Sequence, residues 1–167
     1  MDSQALILAH TAISLIAIVL GFVVLYGMFG SRHLPRTALW FLVTTFLTTL
    51  TGFIFFKRDQ LLPSHITGIV ALIVLLPTCF ALYMRRLQGG WRRVYVIGAV
   101  ISLYLNVFVL VVQGFLKIAP LKALAPTQSE PPFAVAQGIA FLAFVVVGYL
   151  AVRRFHPEVA RHKLRPA

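Results

Sequence analysis

Taken by the alternation of polar and apolar positions, the chain divides into five long apolar runs: Ala5 to Phe29, Ala38 to Phe56, Ser64 to Met84, Val94 to Leu116 and Phe133 to Val152. None of them contains Asp, Glu, Lys or Arg. A helix needs about 20 apolar residues to cross roughly 30 Å of hydrocarbon, so each run predicts a membrane-spanning helix. Lipid offers no partner to an open backbone donor or acceptor, which leaves helices or a closed barrel, and uninterrupted runs of this length exclude the barrel. The expectation is an all-α integral membrane bundle of five transmembrane helices forming one domain, with a long connection at 117–132 and a basic tail at 153–167.

Composition points the same way. With 60% apolar and 11% charged residues in 167, the chain carries more apolar surface than a water-soluble core of this size hides. The first run follows Met1-Asp2-Ser3-Gln4, a flank without Lys or Arg, and is longer than the apolar part of a cleaved leader, so it reads as a retained helix. Cys79, the single cysteine, leaves no internal disulfide and no thiolate cluster, and reads as a small packing residue.

Charge adds a direction. As the chain weaves, Arg32, Arg36, Arg85, Arg86, Arg92, Arg93, Arg153, Arg154, Arg161, Lys163 and Arg165 fall on one side, and Lys57, Arg58, Lys117 and Lys122 on the other. Only Glu158 joins the first group, whereas Asp2, Asp59 and Glu130 join the second, so the net charge of +11 divides as +10 and +1. The positive-inside rule then predicts the N-terminus outside and the C-terminus in the cytoplasm. Tyr26, Trp40, Tyr83, Trp91, Tyr95 and Tyr149 lie near the same ends of their runs, where amphipathic rings favour the headgroup level. The short basic tail is suited to anionic lipid of the inner leaflet, and with no folded soluble module a nucleic-acid partner is not expected.

Between the runs, Pro35 begins the second, Pro63 and Ser64 begin the third, and Gly89-Gly90 turn the chain toward the fourth. The second run carries two threonine stripes, Thr44, Thr48, Thr51 and Thr45, Thr49, Gly52, which predict close helix contacts with hydroxyls returned to their own backbone. Ala134 and Gly138 make a small-xxx-small pair in the fifth. The connection from Lys117 to Pro132 holds four prolines and no clear helical or strand pattern, and a long connection of this kind faces partners more often than it idles.

Polar side chains gather in one half. At 1.5 Å per residue from the outer ends, His10 lies roughly 8 Å deep, His65 a few Å, Thr51 about 8 Å, Gln113 about 5 Å and Gln137 about 6 Å, with Asn106 near the midplane. Polar groups in lipid favour the bundle interior or a wet cavity, so an outward-opening pocket of Thr51, Asn106, Gln113 and Gln137, approached by Glu130 from the loop, is predicted. Within it, His10 and His65 are candidate ligands for one haem b or another metal, because neutral imidazole is the common nitrogen donor. A quinone in the same pocket is a further possibility. A zinc or copper site would need more donors, from Glu130 or Asp59. The structural alternative for each histidine is an interfacial ring hydrogen-bonded to a neighbouring helix. No Walker-type loop, Cys-x-x-Cys pair, intramembrane carboxylate or Ser-His-Asp set is present in the sequence, which counts against an ion-coupled carrier and leaves no catalytic residue to name.

The segments Leu50-Thr51-Gly52-Phe53, His65-Ile66-Thr67-Gly68, Tyr104 to Phe108 with Gln113 and Lys117, and Ala125 to Phe133 resemble small uncharacterised multi-pass inner-membrane proteins of proteobacteria. That resemblance covers most of the chain and implies a bacterial inner-membrane address without an activity. His10 and His65 are also weakly similar to the haem ligands of small b-type membrane cytochromes, although a second intramembrane pair is lacking. The expected function is a binding or accessory subunit of a membrane complex with a partner at loop 117–132; a haem b or quinone protein is the alternative, and a small transporter the third reading.

Overall fold

The computed structural model describes residues 3–55 and 63–157, and side chains from 4–52 and 66–157. Among the described residues six α-helices follow one another: α1 (Ser3–Phe29), α2 (Pro35–Phe55), α3 (Pro63–Cys79), α4 (Trp91–Lys117), α5 (Ala119–Leu124) and α6 (Pro131–Arg154). A single π-helical turn, Phe80–Met84, prolongs α3. Among the described residues there is no strand. Four segments, Gln4–Phe29, Ile66–Met84, Trp91–Lys117 and Pro131–Arg154, are long and apolar enough to cross a membrane by length and composition.

Several helices run beyond their apolar runs. α2 starts at Pro35, α4 at Trp91 and α6 at Pro131, because proline suits a first turn whose N–H groups have no helical partner and arginine stems pack while their heads stay wet. In the connection expected to be irregular, Ala119–Leu124 forms a short helix with Pro120 in its first turn. The end of the third helix also differs. Pro77 removes one backbone donor, the π turn follows, and Arg86 and Leu87 take left-handed φ values of 47° and 59° ahead of Gly89 at 53°. Leu87 is 2% exposed, and its burial, with its N–H donating to the Ala81 carbonyl at 3.0 Å, holds a backbone state that glycine adopts more readily.

α1, α2, α3 and α4 pack in cyclic order, α4 returning to α1, while α6 lies outside against α4 and α1. The α1–α2 hairpin is antiparallel: Gly27 approaches Leu34, Gly21 approaches Phe41, and His10 meets Thr51. α3 packs closely on α4 at Gly98, where an added Cβ would lie 1.8 Å from Thr78 Oγ1. Tight packing concentrates toward the arginine-rich end, in a core that includes Leu25, Met28, Phe41, Leu82, Tyr95 and Phe155. The expected close packing at Gly138 is not made among the described residues, where an added Cβ would meet nothing within 4 Å. Small residues permit a close approach without compelling one.

Candidate functional site

The polar residues of the half opposite the arginines are distributed over three helix seams. On the α1–α2 seam, His10 Nδ1 lies 2.7 Å from Thr51 Oγ1, with Gly52 leaving room for the imidazole edge. Thr51 Oγ1 also donates to the Leu47 carbonyl at 2.7 Å. The His10–Thr51 bond ties α1 to α2 at this level. Near the centre of the bundle, Asn106 Nδ2 on α4 donates to Thr45 Oγ1 on α2 at 3.2 Å. Gln137 Nε2 donates to the Phe108 carbonyl at 3.2 Å across the α4–α6 seam. Thr44, Thr49 and Thr51 return their hydroxyls to backbone carbonyls three or four residues earlier, as threonine inside a helix often does.

The remaining candidates lie apart from these pairs. Gln113 is half-buried in the last turns of α4. Glu130 turns back on its own loop, where Oε1 accepts from the Thr127 backbone and hydroxyl at 3.1 and 2.9 Å and Oε2 accepts from the Ser129 N–H at 3.1 Å. Desolvation pushes the Glu130 carboxyl up, but these bonds, with one from its own N–H, outweigh it and hold the group below its ordinary range. Gln128 Nε2 pins the same loop to the Val112 carbonyl at 2.9 Å. His65 belongs to the first turn of α3, on a helix diagonal to α1; its side chain lies outside the described residues, as do Asp59 and the tail from Glu158 onward. Among the described residues no three His, Cys, Asp or Glu side chains gather closely enough to hold a metal ion.

Two features at the arginine-rich end were not singled out from the sequence. Arg92 on α4 reaches across to the end of α6, where Nη1 donates to the carbonyls of Val152 at 2.9 Å and Phe155 at 2.5 Å. These carbonyls lack helical partners, so the guanidinium caps the helix and ties it to α4. His156 N–H donates to Ser31 Oγ at 2.8 Å, fastening the same segment to the α1–α2 turn. His33, in that turn, stands edge-on to Tyr95 with ring centroids 6.4 Å apart, and burial holds its imidazole below the ordinary pKa. A run of arginines in the sequence signals a cytoplasmic face; it does not signal which one turns inward to carbonyls.

The second feature is a groove of about 400 Å³ between α4 and α6. Its walls include Ile97, Ile101 and Tyr104 from α4 and Val145, Gly148 and Tyr149 from α6. It is almost wholly apolar, and it lies on the outer flank of the bundle rather than among the polar residues of the opposite half. Comparison with family models, with curated proteins and with solved structures finds no match.

Proposed function

We propose that this chain is a bacterial inner-membrane protein with five spanning helices, N-terminus outside and C-terminus in the cytoplasm, acting as a binding or accessory subunit of a membrane complex. α2 is the fifth span. Its 21 residues lie antiparallel to α1 from the Arg32 turn to the His10 level, a length of about 30 Å at helical rise. The partition of positive charge supplies the orientation.

One observation carries the binding role: the connection 118–130 is a built surface. α5, the Glu130 bonds and the Gln128 tie to α4 order it, and it presents Ile118 and Leu124, each more than half exposed, around Lys122. A preorganised loop loses little freedom on docking, so its apolar contacts are available for affinity. The polar side chains beneath it serve as interhelical bonds that hold its supports in register.

Orientation is tested by labelling intact cells with a membrane-impermeant maleimide after Cys79→Ser. Ser129→Cys reacts and Gln88→Cys does not; the reverse pattern defeats the assignment. Docking is tested by cross-linking native membranes. Ile118→Asp with Leu124→Asp abolishes the specific adduct formed by the wild type, and an undiminished adduct removes the loop from the interface.

A second reading, one haem b or quinone held with His10 and His65, is favoured by the orientation of His10. The Thr51 hydroxyl holds the ring through Nδ1, as an outer hydrogen bond orients a ligating imidazole. Its test is the absorption spectrum of the gently solubilised protein before and after dithionite. Haem requires a Soret band that His10→Ala and His65→Ala each abolish, and a featureless spectrum retires it.

A further inference from the structure

From the α4–α6 groove and the arginines at its mouth, we infer that this protein binds one anionic glycerophospholipid, its acyl chain in the groove and its phosphate at Arg93 and Arg153. The inference adds a site to the role proposed above and does not depend on the loop that carries that role. Ile97, Ile101 and Tyr104 form a stripe on α4, and Arg93 continues it one turn toward the helix start. On α6, Arg153 follows Tyr149 by one turn, and its guanidinium folds back to donate to the Tyr149 hydroxyl at 2.5 Å while lying 5.5 Å from the ring centroid. The groove wall and the charge are therefore physically continuous at Tyr149.

At the far end the groove meets an aromatic block, with Tyr104 centred 5.9 Å from Phe141 and 5.7 Å from Phe144. From Phe141 to Val152 the α6 wall runs about 16 Å at 1.5 Å per residue. That matches one leaflet, half of the roughly 30 Å hydrocarbon thickness. A single acyl chain fits this length, whereas a spanning helix of a partner or of a second copy would continue past the aromatic block. At Gly148 the two walls come close, since an added Cβ would lie 3.3 Å from Val100.

The charge at the mouth selects the headgroup. Arg93 and Arg153 are exposed, Arg92 adds a third guanidinium at the same helix junction, and among the described residues the carboxylate, Glu130, lies at the opposite end of α6. A net-neutral phosphatidylcholine carries its own cation and gains little there. A phosphatidylglycerol presents an uncompensated phosphate to two fork-shaped donors.

Native mass spectrometry of the full-length, delipidated protein in detergent, titrated with phosphatidylglycerol or phosphatidylcholine, tests the site. One phosphatidylglycerol per chain should survive activation that strips phosphatidylcholine. Arg93→Gln and Arg153→Gln should each weaken its retention about fivefold, the worth of one basic residue at an anionic surface. Val145→Trp, which fills the groove at an exposed position, should abolish retention with both arginines intact. Equal retention of the two lipids, a double arginine variant that holds phosphatidylglycerol as the wild type does, or a lipid-free dimer replacing the lipid-bound monomer would each overturn the inference. A thermal midpoint within error of the wild type for the exposed arginine variants separates lost binding from lost folding.

Discussion

Gly98→Ala is the most exacting probe of how the bundle is held together. The added Cβ would lie 1.8 Å from Thr78 Oγ1 and 3.0 Å from Thr78 Cβ. Rotating Thr78 relieves only the first contact and breaks its 2.6 Å bond to the Val74 carbonyl, so α3 and α4 must part. Opening a packed contact by ~0.5–1 Å forfeits a quarter to a half of its attraction, and overpacking of this kind costs about 1–3 kcal/mol. At roughly 2–4 °C per kcal/mol for a chain of this size, the midpoint should fall by several degrees. The chain supplies its own reporter, because Cys79 is the only thiol, is half-buried and follows Thr78 directly, so a maleimide dye reacting with it follows separation of this seam. Thr78→Ala alone should cost little. Combined with Gly98→Ala it should restore about 0.5–3 kcal/mol, the coupling expected of touching side chains. A Gly98→Ala protein with the wild-type midpoint, or strictly additive effects in the pair, would refute the close approach.

Arg92→Gln should release the end of α6, losing charge-assisted bonds worth about 1.5–3 kcal/mol, with faster hydrogen exchange confined to the last turn of that helix and residues 155–157. Burial lowers the His33 pKa, so the unfolded chain binds the proton first as pH falls; stability is full above the ordinary histidine pKa and declines below it. The thermal midpoint should therefore drop less between pH 7.5 and 5.5 in His33→Asn than in the wild type, and equal slopes would deny His33 the effect. Asn106→Leu and Thr45→Val, made singly and together, should show a coupling of about 0.6 kcal/mol, the usual worth of an interhelical bond in a membrane. A coupling near zero would mean that the pair does not meet.

Five apolar runs were enough to locate the helices that carry the bundle, because transfer of a residue into hydrocarbon is a local cost and sums along the chain without knowledge of neighbours. The hydroxyls of Thr44, Thr49 and Thr51 were equally legible, since each finds its acceptor about one turn back on its own helix. The candidate site was legible only as a depth. Sequence placed His10, Thr51 and Gln137 in one half of the bundle and Asn106 near the midplane, and tertiary packing sorted them into separate seams, His10 with Thr51, Asn106 with Thr45 and Gln137 with the Phe108 carbonyl. Depth follows from counting residues along an axis; azimuth follows from rotation about it, and rotation is decided where side chains press onto glycines, Thr78 on Gly98 and Phe41 on Gly21. The same rotation turned Arg92 toward the carbonyls of α6 and brought an apolar stripe of α4 beside one of α6 to make a groove. By itself, then, the sequence determined which segments form long apolar helices and which end holds the charge. Only the tertiary structure decided which side chains meet, because contact across helices depends on packing that no single helix encodes.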